Sequence, residues 1–207
     1  RDWKSRWFDR RKFRALLEAD IRLREWLGAR LAKMYVSRIE IERSPAVLHV
    51  MIHTSRPGLI IGRSGAGATA LKDDMLRRLA VWGFAKPPEL KLTIEEVKNP
   101  ETDAAIVGQM VAEGLERRLP FRRVLKQTLS KVSAHKEVKG VKIALSGRLG
   151  GAEMSRREWL MSGQIPLQTI RADIDFSRQR AHLPYGDIGI KIWIYKGEVF
   201  ETKKKPI

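Results

Sequence analysis

The sequence predicts an α+β protein of two domains, and three observations lead to that prediction. Apolar residues recur at three- and four-residue steps in some segments and at every second position in others, which indicates helices and strands. Both kinds of segment occur on either side of Lys98-Asn99-Pro100. The basic excess is shared evenly, with 21 Lys and Arg against 12 Asp and Glu in residues 1–98, and 20 against 12 in residues 99–207. We therefore expect a first domain over 1–98, a second over 99–200, and a basic tail over 201–207.

The first domain begins with a long helix. Apolar side chains from Phe13 to Met34 follow helical spacing, which predicts a helix over about residues 10–34. Alternation then replaces this period on both sides of a Ser44-Pro45 turn and predicts a two-stranded hairpin. After the hairpin we expect an apolar helical turn, a glycine loop, a second long helix and a third strand. The apolar positions behind these expectations are 39, 41, 48, 50 and 52 in the hairpin, 59–61 in the turn, 71, 75 and 79 in the helix, and 90, 92 and 94 in the strand.

The second domain begins with two helices. Residues 104–119 and 121–132 each place apolar side chains on one helical face, and Pro120 fits the first turn of a helix, where no backbone N–H needs a partner. A short helix is expected near residues 156–161. Because helices come first and strands later, we expect two helices packed on a small antiparallel or mixed sheet. The three predicted strands cover positions 141–145, 170–176 and 188–194.

The composition favours a polyanionic partner and excludes several kinds of site. A net charge of +17 and a pI near 10.5 exceed what a small anion requires, so we expect a nucleic acid. Cysteine is absent, which excludes disulfides, thiolate nucleophiles and cysteine-based zinc sites. No apolar stretch approaches the roughly 18 residues that would span a bilayer. We therefore expect a soluble, cytosolic protein without a membrane partner.

The sharpest local motif is Gly62-Arg63-Ser64-Gly65, which admits three interpretations. As a GXXG loop between two helices, it would let an RNA backbone approach main-chain N–H groups and the start of a helix, with Arg63 adding charge. As part of a dinucleotide fingerprint, Gly65, Gly67 and Ala70 match G-x-G-x-x-A, although neither a preceding strand nor a well-placed acidic residue accompanies them. The glycines could also simply close a tight turn between helices.

A basic ridge is predicted on the helix that follows Pro120. Arg118, Arg122 and Lys126 are spaced four residues apart, so a helix stacks them on one face. Nearby acidic residues in the sequence are too few to neutralise this charge by ordinary ion pairing. Phosphate binding is the preferred interpretation, and a solvated polar face is the alternative. Arg123 and Lys131 lie beside the row.

The first residues of the chain offer a weaker candidate for RNA binding. Trp3, Trp7 and Phe8 are interleaved with seven Lys or Arg in residues 1–14. Aromatic rings among cations can stack on bases while the charges neutralise phosphates. The same rings could equally pack on the domain.

Residues suited to catalysis or metal binding are poorly placed. His49 and His53 share a strand face but lie about 13 Å apart, too far to share a metal ion. Asp173 and Asp175 face the same way along a strand at roughly 6.6 Å, and ion pairing is the preferred use of their charge. We find no catalytic triad, and we expect no metal, no cofactor and no enzymatic activity.

Longer runs of residues resemble one known family. In order along the chain they are VSRI at 36–39, IHTSRPG at 52–58, IG at 61–62, FRR at 121–123, SGRLGGAE at 146–153, RADID at 171–175, and YG at 185–186 followed by Gly189. This pattern, in register over nearly the whole chain, resembles the bacterial small-subunit ribosomal protein three family.

The resemblance implies a type II KH domain in the first half, a family-specific α+β domain in the second, and a place in the head of the small ribosomal subunit. Members contact the small-subunit ribosomal RNA, neighbour small-subunit proteins ten and fourteen, and line the channel by which messenger RNA enters. The message-contacting cations of the family, implicated in unwinding, correspond to Arg122, Arg123 and Lys126, and its GXXG loop corresponds to residues 62–65. Members often carry two basic residues between the glycines, whereas this chain has Arg63 and Ser64.

The predicted function is therefore that of a structural RNA-binding protein of the translating ribosome, without an active site. Arg118, Lys131 and Arg148 are further candidate RNA-binding residues. Two other functions stay open at this point. One is an RNA-modifying enzyme or nuclease that would use Asp173 and Asp175, and the other is a free KH-type regulator of messages.

Overall fold

The computed structural model describes residues 3–84 and 89–200. The chain divides into two compact units, Arg1–Lys98 and Asn99–Ile207, each with its own apolar core. Helices and one four-stranded sheet occur in each unit, which confirms the predicted α+β class. The predicted basic tail over 201–207 lies outside the described residues. Within residues 3–84 and 89–200, no helix is long and apolar enough to cross a membrane.

The first unit is a sheet with helices packed on one face. Its strands, in spatial order, are β1 (Ser5–Arg6), β2 (Val36–Arg43), β3 (Val47–Thr54) and β4 (Glu89–Glu96). Its helices are α1 (Phe13–Arg30), α2 (Pro57–Ile61) and α3 (Ala66–Val81). Strands β2 and β3 form the predicted antiparallel hairpin, β4 runs parallel to β3, and the short β1, which the sequence did not predict, runs parallel to β2.

The core of the first unit follows from the predicted periodicities. Leu23 and Leu27 of α1 and Met75 and Leu79 of α3 are fully buried against the apolar face of the sheet. Burial of side chains of this size contributes about 1.5–3 kcal/mol each. Helix α1 ends at Arg30, four residues earlier than predicted, and two of the next five residues, at positions 33 and 35, adopt left-handed backbone conformations that a helix cannot contain.

Buried Asp20 attaches the N-terminal segment to the first unit. The side chain of Asp20 is fully buried, accepts a 2.6 Å hydrogen bond from Trp7 Nε1 and accepts a 2.7 Å hydrogen bond from Arg43 Nε. Trp7 is therefore packed on the domain, whereas the rings of Trp3 and Phe8 are exposed.

The second unit is an antiparallel sheet covered on one face by two helices. Its helices are α4 (Ala104–Glu116) and α5 (Phe121–Ser133). Its strands are β5 (Gly140–Gly147), β6 (Arg156–Gly163), β7 (Ala172–Leu183) and β8 (Gly186–Glu198), in the spatial order β6-β5-β8-β7. Alternate residues of β5 and β8 point toward the helices and are fully buried. We call the other face of the sheet the open face, because no helix within residues 99–200 covers it.

Two sequence predictions for the second unit are wrong. Residues 156–161 belong to strand β6 and form no short helix, because the whole segment pairs with β5, from Gly147 opposite Arg156 to Gly140 opposite Gly163. The strand predicted to begin at Ile170 begins at Ala172, and the Ile170 side chain is fully exposed.

Two aspartates cap the start of α4. Asp103 Oδ1 accepts hydrogen bonds from the backbone N–H groups of Ala105 and Ile106 at 2.9 and 3.1 Å, and Asp175 Oδ2 accepts one from Ala104 N at 2.8 Å. Carboxylates at this end of a helix satisfy its unpaired donors and favour its dipole. The Asp175 carboxylate therefore joins β7 to α4.

Candidate nucleic-acid interface

The GXXG loop connects α2 to α3 and exposes its backbone. Gly62, Ser64 and Gly65 have positive φ values of 70°, 53° and 80°, so Arg63–Gly65 form a tight turn that is not regularly helical. Gly62, Arg63 and Ser64 are exposed, and α3 starts directly behind them. A polynucleotide backbone can therefore approach the main chain here without meeting a large side chain at either glycine.

The loop geometry does not fit a dinucleotide site. Residues Gly65, Gly67 and Ala70 follow helix α2, whereas the fingerprint requires a strand immediately before it. Glu89 stands at the start of β4, although the acidic residue of such a site belongs at the far end of a strand. Close packing between α2 and α3 does require a glycine at position 67, because a Cβ there would lie 2.6 Å from the carbonyl oxygen of Ile60. This agrees with the tight-turn interpretation.

Helix α5 presents three predicted cations on one flank. Its buried side is anchored in the core of the second unit by Val124, Leu125 and Val132. Arg122, Arg123 and Lys126 are exposed on the side away from this anchor, and we call these three residues the basic flank. Since a helix turns by about 100° per residue, Arg122 and Lys126 are separated by about 40° around its axis.

The structure removes one predicted cation, Arg118, from this row. Arg118 lies in the turn between α4 and α5 with a φ of 61°, and its backbone N–H donates to Leu115 O, so it is not on the helix. Its left-handed conformation ends α4, and Pro120 directly precedes the first residue of α5. Lys131 is exposed on α5 but lies about 140° around the axis from Lys126.

Arg148 closes a loop of the second unit. Its Nε donates to Ala152 O at 2.9 Å and its Nη1 donates to Tyr185 O at 3.2 Å. The guanidinium is half-buried and joins the glycine-rich loop after β5 to the turn before β8. These hydrogen bonds give Arg148 a structural task in addition to any contact with RNA.

Arg156 and Arg157 are exposed cations that sequence reasoning missed. They begin strand β6, next to the start of α5, where Arg156 stacks on Phe121. The expectation of a short helix over 156–161 concealed this proximity. No periodic signal could have found them, because the segment from Arg156 to Gly163 reads RREWLMSG and does not alternate between polar and apolar residues.

The acidic and histidine side chains do not form a metal site. In the part of the chain that the structure describes, no group of three potential ligands is close enough to hold an ion. His53 lies 3.7 Å from Glu40 and 3.4 Å from Glu95, and His49 hydrogen-bonds to Thr93 Oγ1 at 2.8 Å.

Two family descriptions match the chain. Residues 22–102 match the description "KH domain", and residues 111–194 match "Ribosomal protein S3, C-terminal domain". A protein of Desulforamulus reducens named small ribosomal subunit protein uS3 is 44% identical over 207 residues, which are 100% of this chain and 90% of the relative. The chain belongs to the uS3 family of small ribosomal subunit proteins. Relatives with the same name in Pelotomaculum thermopropionicum and Coxiella burnetii are 42% and 44% identical, covering 100% and 98% of this chain and 86% of each relative.

Membership of the uS3 family confirms three expectations. The first half is a KH domain, the chain is a structural ribosomal protein and not an enzyme, and its place is the small ribosomal subunit. A nuclease built on Asp173 and Asp175 is therefore not supported, and Asp175 already serves as a cap for α4. The uS3 identity also disfavours a regulator that acts away from ribosomes.

Proposed function

We propose that this uS3 protein binds the small-subunit ribosomal RNA and lines the channel by which messenger RNA enters, where the basic flank contacts the message and assists its unwinding. The observation that carries the proposal is the exposure of Arg122, Arg123 and Lys126 together on a helix that is fixed to its domain core. A net charge of +17 supports binding to a polyanion in general.

The mechanism is electrostatic. Each Lys or Arg that neutralises a phosphate of a single strand releases condensed counterions. Each such contact adds about 0.7 to the magnitude of the slope of log affinity against log salt concentration. Three such contacts add about 2. Since the phosphates of an unpaired strand are free to follow the flank, the contacts favour the unpaired form of the message and so oppose its hairpins.

The GXXG loop is the proposed contact with ribosomal RNA. Gly62, Arg63, Ser64 and Gly65 form a turn with an accessible main chain and one cation, which suits an RNA backbone that comes close to the main chain. With one basic residue between the glycines, the grip depends more on backbone approach than on charge.

The open face of the second sheet suits the proposed neighbours, small-subunit proteins ten and fourteen. Trp159, Met161 and Phe176 are about half exposed there, and Phe176 stacks on Trp193 at 5.2 Å. Exposed apolar side chains grouped on one face are typical of protein contacts. Replacing Trp159 by Glu should therefore reduce the amount of these two proteins in purified small subunits, and unchanged stoichiometry would contradict the assignment.

The basic flank is tested by replacing Arg122, Arg123 and Lys126 together by Ala. Small subunits that contain this variant should assemble normally but translate more slowly through stable hairpins in a message. Lys126→Ala and Lys131→Ala form a matched pair, because both remove one Lys from α5 and only the first lies on the flank. Normal passage of the triple variant through hairpins would refute the proposal.

A further inference from the structure

Strand β6 brings a second arginine to the ring on which Arg122 is stacked. The guanidinium carbon of Arg122 lies 5.6 Å from the centroid of Phe121, and that of Arg156 lies 5.5 Å from the same centroid. Phe121 is the first residue of α5 and packs against the core of the second unit. A fixed aromatic ring therefore supports two guanidinium groups, one from the helix and one from the strand.

Glu158 lies between these two arginines. Its Oε1 is 3.2 Å from Arg156 Nε, and its Oε2 is 3.7 Å from Arg122 Nε, so each carboxylate oxygen faces a different guanidinium. The Glu158 side chain is 29% exposed, whereas those of Arg122 and Arg156 are 74% and 48% exposed. The carboxylate thus lies deeper than the cations it bridges.

The geometry of the two ion pairs leaves each arginine able to bind a phosphate. A guanidinium has five N–H donors in a planar fork, and in both pairs the Nε atom is the one nearest to Glu158. The terminal nitrogens of these exposed side chains can then form bidentate contacts with phosphate oxygens. The carboxylate also offsets the repulsion between two like charges held close together.

The charge balance of this region stays strongly positive. One carboxylate, Glu158, faces two arginines, and Arg123 and Lys126 add two exposed cations on the same helix as Arg122. Because β6 is the outer strand of its sheet, its free edge continues the surface of the basic flank without another strand in between.

We propose that Arg156 is a further message-binding residue and that Glu158 is a positioning residue, which holds Arg122 and Arg156 as a pair that grips phosphates of the single-stranded message. The inference rests on the proposed function of the basic flank. It extends the message-binding surface from α5 onto the edge of the second sheet.

The test of Arg156 measures the salt dependence of message binding to small subunits that contain variants of the full chain. Two oligouridylate messages are compared, one long enough to pass the basic flank and one that ends before it. For each message the slope of log affinity against log salt concentration is measured, and the difference between the two slopes reports on the basic flank and Arg156. Arg156→Ala should lower the difference between the two slopes by about 0.7. When the salt concentration rises from about 50 to about 200 mM, the variant should therefore lose roughly 2.6-fold less affinity than the unchanged protein. Arg156→Lys keeps the charge and should restore the slope, and Arg178→Ala, an exposed arginine on β7, should leave it unchanged.

The outcomes separate this inference from the proposed function. If the triple Ala variant of the basic flank lowers the slope and Arg156→Ala does not, the role of Arg156 is refuted and the proposed function stands. If neither variant changes the slope, both are refuted. Failure of Arg156→Lys to restore the slope would show that Arg156 acts through packing on Phe121, which also refutes the role in binding.

The positioning role of Glu158 is tested by a double-mutant cycle. Arg122→Ala and Arg156→Ala are combined and message affinity is measured, first with Glu158 present and then in the Glu158→Gln background. The effects should be non-additive with Glu158, since the two guanidinium groups share one carboxylate, and additive in the Glu158→Gln background. Equal coupling in both backgrounds would overturn the positioning role.

Discussion

Replacement of Asp20 by Ala should destabilise the first unit by about 3–5 kcal/mol. The carboxylate of Asp20 is fully buried and accepts hydrogen bonds from Trp7 Nε1 at 2.6 Å and Arg43 Nε at 2.7 Å. The Arg43 side chain is itself only 13% exposed. Removal of the carboxylate therefore leaves a nearly buried guanidinium without its acidic partner, and frees the indole that fastens the N-terminal segment.

The magnitude follows from the two hydrogen bonds and the ion pair that the Asp20 carboxylate forms. A hydrogen bond to a charged group contributes about 1.5–3 kcal/mol, and Asp20 accepts two of them through one carboxylate, so their contributions do not simply add. Loss of one partner of a buried ion pair costs about 3–5 kcal/mol, which is a large part of the roughly 5–15 kcal/mol that stabilises a typical domain.

Hydrogen exchange in increasing urea is the appropriate assay. Because the chain has two units, a whole-protein signal would mix two transitions, whereas the amides of β2 and β3 report on the first unit alone. Glu18→Ala is the matched control, since Glu18 is a half-exposed acid on the same helix with an i,i+4 partner in Arg22. Its loss should cost less than about 0.5 kcal/mol.

A compensating pair of substitutions sharpens the test. Asp20→Leu combined with Arg43→Met removes both buried charges and should recover much of the stability that Asp20→Ala removes. The reasoning is refuted if Asp20→Ala costs no more than Glu18→Ala, or if the double variant is less stable than Asp20→Ala alone.

Three further predictions concern the start of α3, helix α5 and the turn before α1. Gly67→Ala should destabilise the first unit by about 1–3 kcal/mol because the added Cβ would lie 2.6 Å from Ile60 O, and unchanged hydrogen exchange of the β2 and β3 amides in urea would contradict this. Leu125→Ala should destabilise the second unit by about 2–5 kcal/mol, measured by hydrogen exchange of the β5 and β8 amides in urea, because this fully buried side chain anchors α5. Hydrogen bonds from backbone N–H groups, chiefly that of Lys12, lower the pKa of Asp9. The ionised Asp9 carboxylate therefore stabilises the fold at pH values above the ordinary pKa of aspartate, and this stabilisation is lost as the pH falls through the lowered pKa. An NMR titration of the Asp9 carboxyl, compared with unfolding of Asp9→Asn, checks the direction.

The central elements of both units could be predicted because one face of each is buried. Alternate side chains of β5 and β8, such as Ile143 and Ile192, point into the core and give an unbroken period of two. Helices α3 and α5 bury one stripe each and give a period near 3.6. Burial on one side is the condition under which periodicity reports structure.

Strand β6 could not be predicted because it lacks this one-sided burial. It is an edge strand whose helix-facing row includes Glu158 and whose open-face row includes Trp159 and Met161. Polar and apolar side chains therefore occur on both faces, and the period of two that marks a half-buried strand is hidden. The same misassignment concealed Arg156, the neighbour of the basic flank that only the folded chain reveals.

The basic flank itself could be predicted in part. The spacing of Arg122 and Lys126 places them together whichever residue starts the helix. The predicted row is wrong at Arg118 because the four-residue step from Arg118 to Arg122 crosses a helix boundary, where the left-handed conformation of Arg118 and Pro120 separate two helices. Charge spacing is informative only within one continuous helix.

The two candidate surfaces differ in the kind of RNA that each can hold under the proposed function. The GXXG loop offers an accessible main chain in one fixed turn, so it suits a backbone of fixed shape that stays in place, such as folded ribosomal RNA. The basic flank offers exposed charged ends on a helix anchored by buried residues, and its contacts go to phosphates, which every nucleotide carries alike. A message of any sequence can therefore move past α5 while each contact is exchanged for an equivalent one. A flank that read bases would stall at some sequences, so exposed Arg and Lys are the side chains that this position requires.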